Sequence, residues 1–588
     1  MNKTEKIISI LLGGVLVWYL FTQTSKPQQQ PPQQSAPAPQ TQTASAQGSQ
    51  PAAAAAVHGA PALAPAKVQK TQPSTPEQLV TLENDELRLV LSSWNGGVKS
   101  ATLKKYAQNE GDVGDGNPPV EFDFSASPLG DVGNIREAGL GDWMEYRVES
   151  ATSNEVVFAT EFGRRIVTLG ENYQVTFKDD WFSLPPGVDF TLSLGSMEMG
   201  ASNADILSVD SWRIGPNGGE VVHHGDDGES PLKKYLVVMG GGGCNGCGQT
   251  TSAAGMPLEA SERIVAPQKW IALKNRFFVT ALVSSTAQNK GFVATVRRDA
   301  TVDRYRPERV SAQAVINPGQ ATDVTSVFYI GPKKQSILWD LGMRDVMEFG
   351  IWRWICYPIL WVLNACNAVI PNYGIAIILL TILVRLVFWP LTHKSTVGMK
   401  KMQEIQPLMK ELQAKYKDNP QRLQQETFAL YREHKVNPMS SCLPMLIQIP
   451  VFIALFNVLR SAVELRYAPF LWIADLSQPE ALGANSWFPW FGGLNILPIL
   501  MALTMGLQSA LTPSTGDKSQ QRMMVVMMPV MMLVMFYSFP SALSLYWTLS
   551  QVVSIIQMWV IRRQTQAKQK PAFEVIDPPQ TRQMRRHG

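Results

Sequence analysis

One arginine lies inside a long apolar stretch of this 588-residue chain, where a charge is costly. Residues 373–393 read YGIAIILLTILVRLVFWPLTH, with Arg385 well inside, and roughly 20 apolar residues are enough to cross ~30 Å of hydrocarbon. An arginine near the middle of a span costs about 2.5 to 3.5 kcal/mol on insertion scales, so it normally faces water, a partner charge or a functional cavity. The side chain could instead snorkel past Pro390 and His393 to the interface, and both interpretations stand on position alone.

Polar residues also recur at helical spacing in the other apolar stretches. Thr381 and Arg385 are four residues apart, which places them on one helix face. The same pattern occurs later, at Thr504, Gln508 and Thr512, and at Ser544, Thr548, Gln551 and Ser554, while Gln448 lies between two prolines. Hydrogen bonding between helices is the plain explanation. However, no apolar stretch contains an acid to neutralise Arg385, which favours a hydrated cavity.

The residue inventory argues against an enzyme. His393 is the last residue of its apolar stretch and the other five histidines lie outside such stretches, so a membrane Ser-His site lacks a base inside a span. There is no H-E-x-x-H motif, no phosphate-binding glycine loop and no pair of intramembrane aspartates. We therefore predict no catalytic residue, no metal ligand and no cofactor. His223 and His224, with carboxylates nearby, leave a site in the soluble part open.

Cys244 and Cys247 form a C-x-x-C pair in the glycine-rich loop GGGGCNGCGQ. Two thiolates fall short of a four-ligand zinc site unless His223 or His224 joins them, and no surrounding pattern suggests a redox motif. We expect a local disulfide between the two cysteines and assign it no function.

The first third of the chain changes texture twice. Residues 1–25 place two lysines before an apolar run and lack a cleavage signal, which predicts an N-terminal transmembrane anchor. Residues 26–75 are rich in Pro, Gln and Ala and predict a disordered linker. Residues 76–335 contain short runs of alternating apolar and polar residues punctuated by Gly, Asn and Asp. This pattern predicts an all-β sandwich domain, which the anchor's lysines place outside the cytoplasm.

The rest of the chain predicts a helical membrane region. The aromatic segment 345–370, interrupted by Pro358 and Asn364, could count as a span. As a span it would put the basic segment that follows on the outer side, against the positive-inside rule, so we predict an interfacial amphipathic helix. The remaining predicted segments are TM2 (371–393), a cytoplasmic helical hairpin (394–440), TM3 (441–463), an outer loop (464–493), TM4 (494–511), TM5 (523–539), TM6 (541–561) and a basic cytoplasmic tail (562–588). Together with the anchor they give six spans with both termini inside.

Two of these segments have informative detail. In the hairpin, Met402, Met409 and Tyr416 recur at helical spacing, and Asn419 before Pro420 predicts the cap of a second helix. TM5 reads MMVVMMPVMMLVMF. Methionine adapts to many apolar partners, so this helix has either a client-binding or a lipid-facing surface. A net charge of +4 gives no sign of nucleic-acid specificity.

Several of these stretches resemble the YidC membrane protein insertase family of bacteria. They are TILVRLVFWPLT at 381–392, IQPLMKELQAKYKDNPQRLQQETFALYREHKVNPMSSCLPMLIQIPVFIALFNVL at 405–459, ELRYAPFLWIADLS at 464–477 and FPSALSLYWTLS at 539–550. The long outer β domain and the extra first span resemble the Gram-negative branch. This resemblance implies a five-helix insertase core, a periplasmic β-supersandwich and an inner-membrane location. The CNGC loop has no counterpart in the family pattern.

The resemblance also implies roles for particular residues. Arg385 would face a groove open to the cytosol and lipid, lined by Thr381, Gln448, Tyr546 and Trp547. A tyrosine is expected at the last of these positions, so only its aromatic character is retained. Thr548 and Gln551 continue the groove-lining set by their spacing, and the hairpin residues Met402, Met409 and Tyr416 would receive clients. The apolar slide for clients would comprise Met445, Phe452, Met527, Met531 and Met535.

The implied partners are nascent inner-membrane proteins, the Sec translocon, the lipid bilayer and, weakly through the basic tail and cytoplasmic loops, the ribosome. Two other classes remain to be separated from this one. A transporter or lipid flippase would show internal repeats and paired intramembrane charges, and neither is found in the sequence. A pure scaffold would not depend on the hairpin.

Overall fold

The computed structural model describes residues 75–568 with twelve internal gaps. The gaps are residues 110–116, 134–143, 182–188, 199–206, 216–217, 225–258, 299–306, 418, 435, 437–442, 483–492 and 512–522. The predicted anchor, the predicted linker and the pair Cys244 and Cys247 lie outside the described residues.

Eighteen strands of the described residues form the domain predicted as all-β. They are β1 (Leu79–Glu83), β2 (Leu87–Ser92), β3 (Val98–Ala107), β4 (Pro119–Asp123), β5 (Val132–Gly133), β6 (Arg147–Ala151), β7 (Glu155–Thr160), β8 (Gly163–Leu169), β9 (Gln174–Trp181), β10 (Phe190–Glu198), β11 (Ser208–Gly215), β12 (Gly218–His224), β13 (Glu259–Ile264), β14 (Gln268–Lys274), β15 (Phe278–Ser285), β16 (Gln288–Arg298), β17 (Pro307–Asn317) and β18 (Asp323–Pro332). These strands form because apolar residues recur at every second position. In β2, Leu87, Leu89 and Leu91 are buried and Arg88 is exposed, as expected for a strand with one face on a core.

The strands pair into three antiparallel sheets. Their orders are β1-β2-β3-β4, then β13-β16-β17-β10-β5, and β12-β11-β14-β15-β18-β9-β8-β7-β6. β10 and β17 of the five-stranded sheet pack against β14 of the nine-stranded sheet, and both sheets contribute to one apolar core. The predicted antiparallel sandwich is therefore confirmed.

The second half is helical. After a short helix α1 (Gln335–Asp340), the helices are α2 (Arg353–Val369), α3 (Tyr373–Val387), α4 (Trp389–Glu404), α5 (Gln406–Lys415), α6 (Pro420–Glu433), α7 (Leu443–Ser461), α8 (Ile496–Leu511), α9 (Met528–Phe536) and α10 (Ser541–Lys568). A π-helical turn (Met523–Met527) leads into α9. The predicted cap of α6 is confirmed, because the side chain of Asn419 accepts a hydrogen bond from the backbone N–H of Arg422 at 3.1 Å.

The segment predicted as TM2, residues 371–393, is bent. α3 ends at Val387 and α4 begins at Trp389, with an angle of 60° between them. Pro390 follows the break, and a proline in this position lacks an N–H and clashes with the carbonyl one turn earlier. The segment predicted as TM2 is therefore divided between α3 and the first turn of α4, and residues 389–393 belong to the helix that leads into the predicted hairpin.

The count of six spans is not confirmed. Among the described residues, one segment, Ser541–Ile561 of α10, is long and apolar enough to cross a membrane alone, and the bent pair α3 and α4 makes a second if it counts as one span. The apolar helical segments Gln448–Ser461, Ile496–Leu511 and Val525–Phe536 are shorter. α10 also continues to Lys568, seven residues beyond the predicted end of TM6 at 561.

The segment predicted as interfacial forms α2, preceded by two short 3-10 turns. One face of α2 is buried, with Cys356, Ile359, Leu360 and Leu363 inside, and it packs against α3 and α7. Trp354 and Trp361 are exposed on the other face. α2 is therefore amphipathic, as the sequence predicts.

Candidate functional site

Arg385 lies near the C-terminal end of α3 and its guanidinium contacts α10. Its Nε donates a hydrogen bond to Ser550 Oγ at 3.0 Å, and its Nη2 donates to the same oxygen. Ser550 is buried and Arg385 is half-buried. Within the described part of the chain, Arg385 forms no ion pair. The snorkelling alternative, in which the guanidinium leaves the helices for the interface, does not describe this geometry.

A second polar contact lies on the same face of α10. Gln448 Nε2, on α7, donates a hydrogen bond to Tyr546 Oη at 3.2 Å, and Tyr546 is buried. Tyr546 and Ser550 are four residues apart, which places them one above the other on one helix face. Side chains from α3, α7 and α10 therefore meet in a polar cluster, which we define as Arg385, Gln448, Tyr546 and Ser550.

Thr381 shares the face of α3 with Arg385, but its hydroxyl is already used. Thr381 Oγ1 donates to the carbonyl of Ile377 at 2.6 Å, within its own helix, and the side chain is fully buried. This local bond satisfies a hydroxyl in an apolar setting. Thr381 therefore lies beside the polar cluster without donating its hydroxyl to it.

Thr548 and Gln551 lie on a different side of α10. At about 100° per residue, they project roughly 120–180° away from the direction of Tyr546 and Ser550. Both are buried, and Thr548 Oγ1 donates to the carbonyl of Ser544 at 2.8 Å. α10 packs against α8 as well as α3. The structure does not bring Thr548 and Gln551 together with Arg385.

Trp547 belongs to an aromatic cluster. Its ring centroid lies 5.0 Å from that of Phe452, edge to face, and 5.4 Å from that of Phe536. Its indole N–H is buried and has no hydrogen-bond partner among the described residues. Phe456 and Phe539 extend the same cluster. Trp547 therefore fills an apolar junction of α7, α9 and α10.

The residues predicted as an apolar slide divide between two environments. Met527 and Met531 are 62% and 55% exposed and, with Val530 and Val534, form an outward stripe at the π turn and α9. In contrast, Met535 and Phe452 pack inward against the core. Met445 lies in α7, and its side chain is outside the described part.

The predicted hairpin comprises α5 and α6, which pack against each other. Neither helix has a buried residue. Met402, at the end of α4, and Met409 and Tyr416 are half-buried. The Tyr416 ring lies between two cations, with Lys415 Nζ at 5.5 Å and Arg422 Cζ at 5.7 Å from its centroid.

Two contacts of the site were missed from the sequence. Ser550 accepts hydrogen bonds from Arg385. The sequence could have indicated this residue, because it lies one helical turn after Tyr546. Gln557, almost two turns further on, donates from Nε2 to Thr392 Oγ1 at 2.7 Å. This bond ties α10 to the first turn of α4, just beyond the bend. The described residues contain no group of three or more His, Cys, Asp or Glu side chains that could hold a metal ion.

Two protein-family models match parts of this chain. Residues 365–569 match the 60Kd inner membrane protein model, and residues 249–362 match the YidC periplasmic domain model. The first covers all members of the polar cluster. The second covers β13 to β18 and most of α2.

Curated relatives align with about half of the chain. The membrane protein insertase YidC of Syntrophobacter fumaroxidans is 41% identical over 300 residues, which are 50% of this chain and 54% of the relative. That of Syntrophus aciditrophicus is 39% identical over 311 residues, 52% of this chain and 54% of the relative. The chain thus spans about half the length of the curated relatives it matches.

A crystal structure of an active YidC insertase with its first transmembrane domain resolved is 19% identical, with a TM-score of 0.32, over 83% of this chain and 92% of that one. Residues 249–362 and 365–569 of this chain are thus similar to two consecutive parts of the YidC insertases, a periplasmic domain followed directly by the 60Kd inner membrane domain.

Proposed function

We propose that this protein inserts newly made proteins into the inner membrane and assists their folding, alone or with the Sec translocon, without enzymatic chemistry. The observation that carries the proposal is the setting of Arg385. Its charge lies among α3, α7 and α10 and is hydrogen-bonded to a neutral serine. A charge in this position is costly, and a passing carboxylate of a client would offset that cost.

The physical problem of insertion explains why such a charge is useful. A client must carry polar groups through hydrocarbon, and each unsatisfied backbone group costs several kcal/mol. At about 4 Å, in an effective dielectric of about 20, a carboxylate and a guanidinium attract by about 4 kcal/mol. Gln448 and Tyr546 extend the polar surface beside Arg385. Burial of the client's own apolar segment then drives the step.

We further propose roles for the elements that surround Arg385. Six spans cross the membrane with both termini in the cytoplasm, α2 lies in the outer interface, and the β domain is a periplasmic supersandwich. The outward stripe at Met527 and Met531 supports a surface along which apolar client segments leave into lipid, because exposed methionines adapt to different partners. The exposed helices α5 and α6 receive clients, and the ribosome contacts the basic segments weakly.

Insertion by Arg385 variants in reconstituted vesicles tests the proposal. At matched protein levels we expect Arg385→Ala to slow insertion of a client with an acidic translocated tail about tenfold, which corresponds to about 1.4 kcal/mol. Arg385→Lys should retain much of the rate because it keeps the charge. The same client with Asn and Gln in place of its acids should be far less affected.

Arg353→Ala is the matched control variant, since this arginine is exposed at the start of α2 and should insert both clients at the wild-type rate. Equal insertion of the acidic client by wild type and Arg385→Ala would contradict the role of the charge. Deletion of residues 399–435 separates an insertase from a scaffold, because a scaffold would keep full vesicle insertion without the hairpin.

A further inference from the structure

The loop between α7 and α8 holds the outer ends of two helices. The backbone N–H and the Oγ of Ser541 both donate to the carbonyl of Gln478, at 2.8 and 2.5 Å, and the N–H of Ala542 donates to the carbonyl of Leu476 at 2.9 Å. The first N–H groups of a helix have no partner within it, so these loop carbonyls fix the start of α10.

The same loop fixes the start of α8. The carboxylate of Glu480 accepts hydrogen bonds from the backbone N–H groups of Ile496 and Leu497, at 2.8 and 2.7 Å. A carboxylate at this position satisfies two helix donors and also interacts favourably with the helix dipole. The position of residues 476–480 therefore determines where two helices of the bundle begin.

The β domain holds this loop with a buried arginine. Arg276 lies in the turn between β14 and β15 and is 5% exposed. Its Nε donates to the carbonyl of Arg460 at 2.7 Å, and its Nη2 donates to the carbonyl of Ser477, also at 2.7 Å. One rigid guanidinium thus joins the last turn of α7 to the centre of the loop. A lysine cannot reproduce this fork.

A second arginine makes the reciprocal connection from the loop to the β domain. Arg466 Nη1 donates to the carbonyl of Ala107 at 2.6 Å, and its Nη2 donates to that of Gln108 at 3.2 Å, at the end of β3. The hydroxyl of Tyr467 also donates to the carbonyl of Gln108, at 3.0 Å. Two independent connections therefore hold one loop against one domain.

These contacts form a continuous path to the polar cluster. Arg276 holds Ser477, whose neighbours Leu476 and Gln478 hold Ser541 and Ala542 at the start of α10. Less than three turns further along the same helix, Ser550 holds Arg385. We propose that Arg276 and Arg466 are positioning residues, through which the β domain clamps residues 476–480 over the outer ends of α8 and α10. For its effect on insertion, this inference rests on the proposed function.

Amide hydrogen exchange of the full chain in lipid nanodiscs tests the clamp. We expect Arg276→Ala to speed exchange at Ser541 and Ala542 at least tenfold, while the amides of the β-sheets exchange at wild-type rates. A purely structural role would speed exchange in the sheets as well. Arg276→Lys should give an intermediate rate, because it retains a donor and loses the fork. Arg297→Ala is the control, since this arginine is exposed on the same domain and paired with Glu308.

The double variant Arg276→Ala with Arg466→Ala tests whether both residues hold the same loop. Because the two connections act in parallel, the double variant should speed exchange by more than the product of the single effects. Unchanged exchange at Ser541 and Ala542 in Arg276→Ala overturns the clamp. Single effects that simply multiply overturn the shared hold on one loop.

Insertion measured on the same samples separates this inference from the proposed function. With the clamp lost, Arg276→Ala should insert acidic clients up to about threefold more slowly, since α10 no longer holds Ser550 in place against Arg385. Fast exchange with wild-type insertion would overturn the link from the clamp to the cluster. If Arg385→Ala also inserts normally while exchange in Arg276→Ala is fast, the proposed role of the Arg385 charge fails and the clamp itself stands.

Discussion

One arginine in the β domain and one among the helices are both removed from full contact with water, but their hydrogen-bond partners differ. Arg165 in β8 is fully buried, and its Nε and Nη2 donate to the two carboxylate oxygens of Asp179 at 2.5 and 3.0 Å. Its Nη1 donates to the carbonyls of Asn95 and Gly130 at 2.9 and 2.7 Å. Arg385 is hydrogen-bonded to the hydroxyl of Ser550 and has no ion pair within the described residues.

The partners of these two arginines distinguish a charge that stabilises the fold from a charge that is available to a ligand. A buried charge whose three nitrogens all donate to a carboxylate or to backbone carbonyls stabilises the arrangement around it, and removing one partner of such a pair is strongly destabilising. A guanidinium held by one neutral oxygen keeps most of its donors and its full charge for a ligand. We therefore expect Arg165 to serve folding, and we propose that Arg385 is available to bind a client.

The largest expected effect is on the structural side. We expect Arg165→Ala to reduce the free energy of unfolding of the β domain by about 3–5 kcal/mol, because it leaves Asp179 buried and unpaired. Denaturant unfolding of the full chain in detergent, followed through the β-sheet signal, measures this loss. Insertion by the fraction that remains folded should be close to wild type.

Arg164→Ala provides a matched control at the neighbouring position. The side chain of Arg164 is exposed and pairs with Glu149 at 3.0 Å, so its loss should change stability by no more than about 0.5 kcal/mol. Equal losses of stability in the two variants would contradict the structural role of Arg165, because a buried, ion-paired arginine would then matter no more for folding than an exposed one.

Glu464 extends the comparison of the two arginines, because it is a buried side chain whose ionised form would be negatively charged. It lies just after α7, both carboxyl oxygens are buried without a hydrogen-bond partner among the described residues, and the same holds for Asn364 Oδ1. Burial raises the pKa of Glu464 above its ordinary value of 4.5, with the nearby Asn364 amide and Lys334 opposing the shift. A protonated carboxyl that donates to Asn364 Oδ1 would satisfy both groups, and burial favours this neutral form over a carboxylate.

The pH dependence of stability tests this. Because the folded state holds the proton more tightly than the unfolded state, the stabilisation is fully present below pH 4.5 and decreases as pH rises through the raised pKa. Glu464→Gln keeps a donor for Asn364 Oδ1 and should remove this dependence from unfolding curves measured across the same pH range. If wild type and Glu464→Gln lose stability in parallel as pH rises, Glu464 is not the titrating group.

The sequence predicted elements better than it predicted how they meet. Alternation predicted the antiparallel β domain, and Asn419 before Pro420 predicted the start of α6, because both signals are local. Helical spacing placed Thr548 and Gln551 on one face correctly. Spacing does not say which neighbour that face meets, and the structure directs Tyr546 and Ser550, rather than Thr548 and Gln551, towards Arg385.

Contacts distant in sequence were beyond such reasoning. Arg276 contacts the carbonyl of Arg460, 184 residues away, and backbone carbonyls carry no sequence signal. The bend at Phe388 is an intermediate case, since Pro390 was visible in the sequence and its effect on the preceding turn could have been anticipated. The unusual setting of Arg385 was evident from the sequence because a charge within an apolar run is rare.

The smallest expected effect comes from Ser550→Ala, which removes the neutral hold on Arg385. Hydrogen bonds between membrane helices average about 0.6 kcal/mol, with a maximum near 1.7, so insertion of acidic clients should slow only about threefold while neutral clients are unaffected. Ser554→Ala is the control, because Ser554 Oγ donates to the carbonyl of Ser550 within α10. If Ser550→Ala slows insertion of acidic clients as much as Arg385→Ala does, Arg385 depends on its partner as strictly as Arg165 does. The contrast between a structural and an available arginine would then fail, because both charges would work only in one fixed arrangement.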